Sequence, residues 1–100
     1  MGEESHLEER AVASEFLEIA VVGELAGEMT TSLESRLEHA LTDRQHVLIS
    51  LQRCSRIEHD AVGALIEMQA RFWSAERLDL LIMGASGAVR SALARVELTA

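Results

Sequence analysis

The chain has 100 residues and an acidic charge balance, and these two properties already exclude several classes of protein. Its 17 carboxylates stand against nine arginines and no lysine, which gives a formal charge of −8, and 48% of the residues are apolar. A chain of this size and apolar content builds one domain with a single core. Its negative field would repel nucleic acid and anionic membranes, so the composition predicts partners that are proteins or small ligands.

The sequence also predicts a cytoplasmic protein without membrane insertion. The longest apolar runs, such as Leu78–Gly84, are far shorter than the roughly 18 residues of a membrane span. The acidic start Met1–Glu4 is unlike the basic start of a signal peptide. Cys54 is the single cysteine, which excludes an internal disulfide and fits a reducing compartment. We expect one domain over residues 1–100, with residues 1–6 disordered.

The first half of the chain predicts two strands followed by a helix. Leu7–Ala13 and Phe16–Val22 have strand-like patterns, and the second is rich in β-branched residues. Thr31 and Glu34 have the spacing of a capping box, in which hydroxyl and carboxylate satisfy two amides at a helix start. Apolar residues then recur at helical spacing until about Asp43.

The second half predicts alternating strands and helices. His46–Leu51 is a near-continuous apolar run, typical of a strand that is covered on both faces. A helix over Ala61–Trp73 and a strand over Leu78–Met83 follow, and this order implies a parallel pair of strands. A last helix should begin at Ser86. The pattern predicts an α/β domain with α+β-like layering and the order β-β-α-β-α-β-α, in which a mixed four-stranded sheet carries about three helices on one face.

The stretch Ser55–Gly63, between a strand and a helix, is the candidate functional site. Loops of this kind lie at the edge of an open α/β sheet where ligands and partners dock, beside the positive end of a helix dipole. Asp60 is predicted to cap the helix by accepting a bond from a first-turn amide. His59 beside it would make a contact pH-sensitive, but adjacency in sequence is no evidence for a catalytic pair.

The ordered motifs of the chain resemble the STAS domain, a family named for sulfate transporters and anti-sigma factor antagonists. Val21–Leu25, with the sequence Val-Val-Gly-Glu-Leu, is similar to the family's apolar strand that ends in Gly-Glu-Leu-Asp. Asp60–Gly63, with the sequence Asp-Ala-Val-Gly, stands at the place of the family's Asp-Ser-Ser-Gly loop. The resemblance runs from about Phe16 to Leu98, which is most of the chain.

The resemblance implies a non-enzymatic, stand-alone module that docks a regulatory protein, typically an anti-sigma kinase of the GHKL fold, through the Asp60 loop and the following helix. The implied partner-binding residues are Glu58, His59, Asp60, Ala61, Val62 and Gly63. In the family the kinase phosphorylates a serine at the place of Ala61, and the added charge abolishes docking. Ala61 and Val62 carry no hydroxyl, and Ala26 replaces the family's usual acidic residue. The resemblance therefore implies docking without phosphorylation at position 61.

Other interpretations of the sequence stay open. Some free-standing members of the family are accessory subunits of ABC-type lipid transport systems and bind the transporter ATPase. The Gly84–Gly87 loop, between a strand and a helix, would suit a small ligand or nucleotide. Ser55 would serve as a displaced phosphoacceptor. A homodimer would follow from exposure of the first strand or of Trp73, whose neighbour Phe72 is predicted to lie in the core.

The sequence predicts no catalytic residue, no metal and no cofactor. Ser50 and Ser55 flank the loop without the surroundings of a nucleophile elbow. The candidate metal ligands are His39, His46, Cys54 and His59, and their spacing matches no compact zinc pattern. Cys54 is instead predicted to pack beneath the loop as a small apolar residue.

Overall fold

The protein is an α/β domain built on a mixed sheet. The computed structural model describes residues 5–13, 15–85, 87, 89 and 90. Its elements follow one another in the order β1 (His6–Ala13), β2 (Phe16–Leu25), α1 (Glu28–Thr42), β3 (His46–Ser50), β4 (Cys54–Ile57), α2 (His59–Glu76) and β5 (Leu80–Met83).

The long strand β2 organises the sheet. The strands lie in the order β1-β2-β3-β5, and β4 pairs with β2. β1 runs antiparallel to β2, whereas β3 and β4 run parallel to it, β3 along residues 16–20 and β4 along residues 23–25. β5 pairs parallel with β3. The parallel pairing of β3 with β5 around α2 confirms the prediction from the strand–helix–strand order.

Both helices pack on the same face of the sheet. The buried residues of the helices are Leu33, Leu37 and Ala40 in α1 and Ala61, Val62, Leu65, Met68 and Phe72 in α2. They form one apolar cluster with strand residues that include Ile19, Val21, Val47, Ile49 and Leu80. The prediction that the helices are layered on one face is confirmed for the two helices that the structure describes. Neither of them is long and apolar enough to cross a membrane.

The opposite face of the sheet is partly open. In β3, Val47 and Ile49 are buried toward the helices, whereas Leu48 between them is partly exposed. Leu81 and Met83 of β5 are exposed. The prediction that the run of β3 is covered on both faces is therefore wrong, because the two described helices leave one face of the sheet uncovered.

Helix α1 begins earlier than the sequence indicates. Gly27, with a φ of 54°, turns the chain directly after β2, so that the helix starts at Glu28 without a side-chain cap. The amide of Met29 donates to the carbonyl of Ala26. Thr31 consequently lies inside the helix, and the predicted capping box is wrong. The predicted end near Asp43 is confirmed, since the helix ends at the preceding residue.

The described sheet has five strands rather than the predicted four. The additional strand is β4, in which Cys54 and Ile57 are buried and the two residues between them are exposed. Four residues with a polar centre carry no recognisable strand period, so the stretch was predicted as loop. The predicted third helix falls outside the described residues except for residues 87, 89 and 90, of which Val89 is buried. Residues 1–4 also lie outside the description, and β1 begins at His6.

Candidate functional site

Two strand-to-helix connections meet at one edge of the sheet. β2 continues through Ala26 and Gly27 into α1, and β4 continues through Glu58 into α2. The backbone N–H of Glu58 donates to the carbonyl of Leu25 over 3.1 Å, and Leu25 is the pairing partner of Ile57. The starts of both helices are therefore held side by side, beyond the carboxyl ends of the parallel strands β2 and β4.

The predicted partner-binding residues divide into an exposed and a buried group. The exposed members are Glu58, His59 and Asp60, and Gly63 is partly exposed. Ala61 and Val62 are 1% and 0% exposed and belong to the apolar core. Because their side chains point into the core, they support the loop from beneath, while the exposed members are accessible to a partner.

Helix α2 begins one residue before Asp60. Its first turn is closed by a bond from the Val62 amide to the Glu58 carbonyl, which makes Glu58 the capping position, with no side-chain hydrogen bond. The prediction that Asp60 caps the helix is wrong, because its carboxylate lies two positions past the cap. As an acidic residue in the first turn, Asp60 still interacts favourably with the positive end of the helix dipole.

The surface around the two helix starts is acidic. Its exposed carboxylates are Glu24, Glu28, Glu58 and Asp60, which we call the acidic edge. Arg56 is the pairing partner of Glu24 across β2 and β4 and supplies a positive charge there. Sequence reasoning did not assign Glu24, Glu28 or Arg56 to the site. The pairing of β4 with β2 gathers them, and a stretch predicted as loop gives no signal for that pairing.

Cys54 lies beneath this surface as a buried thiol. It is 2% exposed, and its Sγ donates to the carbonyl of Arg56 over 3.3 Å. Burial raises the pKa of the thiol above its ordinary value, against a smaller lowering by backbone contacts with Arg56 and Leu25. The prediction that Cys54 packs beneath the loop is confirmed.

We expect Cys54 to react slowly with Ellman's reagent in the folded protein, at least about tenfold slower than in denaturant, because the thiol is covered and little of it is thiolate. The raised pKa means that folding favours the protonated thiol. This contribution to stability is present below the pKa of the unfolded chain and is lost as the pH rises through the folded pKa. The released chromophore, followed with and without denaturant, measures both rates. Equal rates would contradict the burial.

The four candidate metal ligands lie on four different elements. His39 is on α1, His46 on β3, Cys54 on β4 and His59 on α2. Among the residues that the structure describes, no group of three or more His, Cys, Asp or Glu side chains is arranged to hold a metal. The ring of His46 stacks on Phe16 with 5.0 Å between centroids, so this histidine packs against the start of β2.

The two remaining candidate positions are Ser55 and the loop after β5. Ser55 is exposed in β4. Gly84 follows β5, and an open cavity of about 230 Å³ lies beside it, lined by Glu18, Leu48, Ser50, Gln52, Met83 and Gly84. This lining contains a carboxylate and no basic side chain, which does not favour a phosphate or a nucleotide. Ser86, the next polar residue of the loop, lies outside the described residues.

The fold of this chain matches solved structures. The anti-sigma factor antagonist SpoIIAA in its unphosphorylated form superposes with a TM-score of 0.80 at 17% identity, over 93% of this chain and 82% of that one. The phosphorylated form of the Bacillus cell fate determinant SpoIIAA gives 0.74 at 15% identity, over 94% and 86%. A structure of Mglu gives 0.64 at 15% identity, over 75% of this chain but only 18% of that one.

The comparisons therefore confirm the predicted STAS-like fold of an anti-sigma factor antagonist. At these sequence identities the likeness concerns the fold alone. No family model and no curated protein sequence matches this chain.

Proposed function

We propose that this protein is a non-enzymatic binding module of the anti-sigma factor antagonist type, which docks a regulatory partner at the acidic edge. The observation that carries the proposal is the bond between the Glu58 amide and the Leu25 carbonyl, which holds two helix starts together and leaves Glu58, His59 and Asp60 exposed. The partner is an anti-sigma factor with the GHKL kinase fold. The module acts in the bacterial cytoplasm, upstream of transcription.

The charges of the site favour a partner with a basic docking surface. The four carboxylates of the acidic edge are exposed, so their attraction to a partner is screened by salt. Exposed charges of this kind mainly raise the association rate and reject partners of the wrong sign. Two helix N-termini lie behind the carboxylates and interact favourably with their negative charge. Association should therefore slow as the ionic strength rises.

Docking is independent of phosphorylation at residue 61. A phosphoserine would add about two negative charges and a bulky phosphate group to the start of α2, which would change both the charge and the shape of the docking surface. Ala61 has no hydroxyl, and its side chain is buried in the first turn of α2. The docking surface thus stays in one charge state at this position, and binding must be controlled by the supply of the two proteins or at another residue.

Asp60→Lys should weaken binding to a purified GHKL-type anti-sigma factor from the same genome by at least about tenfold, or 1.4 kcal/mol. The substitution reverses one charge at the centre of the proposed surface and places a cation at the positive end of α2. Isothermal titration calorimetry with ATP and Mg²⁺ present measures the affinity. Because Asp60 is exposed, the fold should persist, which circular dichroism checks.

The matched control is Asp43→Lys. Asp43 is also an exposed aspartate, but it follows the C-terminus of α1, at the other end of the helix from the acidic edge. The same charge reversal there should leave the affinity unchanged. An equal loss in both variants would mean that only the net charge matters, and no loss at Asp60 would remove this edge as the docking surface.

A phosphate-transfer assay separates the two parts of the proposal. Incubating the wild-type protein with the kinase and ATP should give the complex without a stoichiometric phosphoprotein, as read by intact mass. Stoichiometric phosphate on another residue, such as the exposed Ser55, would overturn independence from phosphorylation while leaving docking in place. Binding to a lipid-transporter ATPase, without binding to the anti-sigma factor, would mean that the partner is the transporter ATPase.

A further inference from the structure

Strand β1 forms an accessible edge of the sheet. In the described part of the chain its strand neighbour is β2 alone. It is eight residues long, it contains no proline, and all of its side chains except Leu7 are exposed. Every second residue of an edge strand directs its N–H and C=O away from the sheet. Such an edge pairs with a further strand unless proline or charged side chains cover it.

The charged side chains of β1 lie on the two faces of the sheet, where they form ion pairs, and do not cover the backbone edge of the strand. On the helix face, Glu9 forms an ion pair with Arg36 of α1. On the opposite face, Glu8 pairs with Arg53 in the turn after β3. Arg10 pairs on the same face as Glu8 with a glutamate of β2, over 3.3 Å. These ion pairs hold the charged groups on the two faces of the sheet, so they do not cover the backbone edge of β1.

We propose that β1 pairs antiparallel with β1 of a second copy of the chain, about a two-fold axis that is perpendicular to the sheet and passes midway between the two copies of Glu9. In this register Glu8 lies opposite Arg10 of the second copy, and the symmetry repeats the contact. Opposite charges directly across two strands stabilise the pairing. On the other face Leu7 lies opposite Ala11, so apolar side chains meet there.

The charges also select this register. Glu9 lies opposite its own copy, but each Glu9 already has Arg36 as its partner, so the centre holds two carboxylates and two guanidinium groups. A register shifted by one step in either direction centres on Arg10 or on Glu8. Glu8 and Arg10 also have partners within the chain, as Glu9 has, so the shifted registers differ by losing both Glu8–Arg10 contacts.

The pairing leaves both docking surfaces accessible. The two β2 strands run in opposite directions in the combined sheet, because the axis is perpendicular to it. The acidic edges therefore lie at opposite ends of the dimer, and two partner molecules bind without contact. The inference does not depend on the proposed partner, since self-association is measured on this chain alone.

Charge reversal tests the register. Wild-type protein should show a monomer–dimer equilibrium in sedimentation velocity between about 1 and 300 µM. Glu8→Arg and Arg10→Glu each place like charges opposite one another twice, and each should weaken the dimer by about tenfold or more. In an equimolar mixture, the two arginines that one variant carries at positions 8 and 10 face the two glutamates that the other carries there. The mixture should therefore restore dimerisation as a heterodimer in native mass spectrometry.

Cross-linking tests the axis. Glu9→Cys should form a disulfide between copies under mild oxidation, because opposite Cβ atoms in an antiparallel pair lie about 5 Å apart. Ala11→Cys is the matched control, since two copies of position 11 lie about 14 Å apart in this register. Wild-type protein that remains monomeric, equal cross-linking at both positions, or failure of the mixed variants to associate would each overturn the proposal. Loss of the dimer in Trp73→Ala would overturn it too, by placing the interface on α2.

Discussion

Phe72→Ala should lower the free energy of unfolding by about 3–5 kcal/mol, a large fraction of the stability of a small domain. Phe72 is the largest fully buried side chain in the described chain. It lies on the face of α2 that packs against the sheet, so the shortened side chain leaves a cavity between the layers. Urea denaturation followed by circular dichroism measures the loss. If the variant does not fold, Phe72→Leu removes less volume and should give a smaller loss.

Trp73→Ala is the control for this result. Trp73 is the next residue of the same helix, but it is 55% exposed, and its ring lies 5.3 Å from the guanidinium of Arg77. Removing a larger aromatic ring there should cost no more than about 1 kcal/mol, mostly from the lost cation–π contact. Equal losses in the two variants would contradict the orientation of α2 on the sheet.

The contrast between Phe72 and Trp73 shows which part of the fold local pattern could predict. Neighbouring residues of a helix point about 100° apart, so the periodicity of α2 assigned Phe72 to the core and left the exposure of Trp73 open. The same reasoning located β2, β3, β5 and both described helices, because burial on one face imposes a regular period on the sequence. The family resemblance, carried by Val21–Leu25 and Asp60–Gly63, agreed with the order of elements that the pattern had already predicted.

Features that depend on distant backbone groups could not be predicted in this way. The Glu58 amide is satisfied by the carbonyl of Leu25, which lies more than thirty residues earlier in the chain. Rules for local helix caps cannot anticipate such a partner, so Asp60 was assigned the capping position by mistake. β4 was not predicted for the same reason, because this segment is a strand only through its pairing with the end of β2.

Ala61 shows two lines of sequence reasoning in conflict. Periodicity placed it on the buried stripe of α2, with Leu65, Met68 and Phe72, whereas the family resemblance placed it among the partner-binding residues. Its side chain is buried, as the periodicity required. Under the proposed docking we therefore expect Ala61 to matter through its lack of a hydroxyl, and the exposed residues on either side of the helix start to contact the partner.

Gly23→Ala should lower the free energy of unfolding by about 2–4 kcal/mol, through backbone strain and steric overlap together. Gly23 has a φ of +90°, and a Cβ there would lie 2.6 Å from Ser5 Oγ and 3.0 Å from Ser5 Cα. The backbone cannot shift freely to relieve this overlap with Ser5. The Gly23 amide donates to the carbonyl of Arg53, and the amide of Glu24 donates to Ser5 Oγ. The loss should be visible as a lower urea midpoint with an unchanged denaturant slope.

Gly63→Ala is the matched control, because the same methyl group is added in the opposite conformational setting. Gly63 lies inside α2, and no heavy atom stands within 4 Å of the position that its Cβ would take. The substitution should raise the free energy of unfolding by about 0.4–1 kcal/mol, since alanine restricts the unfolded chain and fits the helix. Opposite signs in the two variants would attribute the cost at Gly23 to its conformation and to Ser5. A neutral Gly23→Ala would instead contradict both the positive φ of Gly23 and its contact with Ser5.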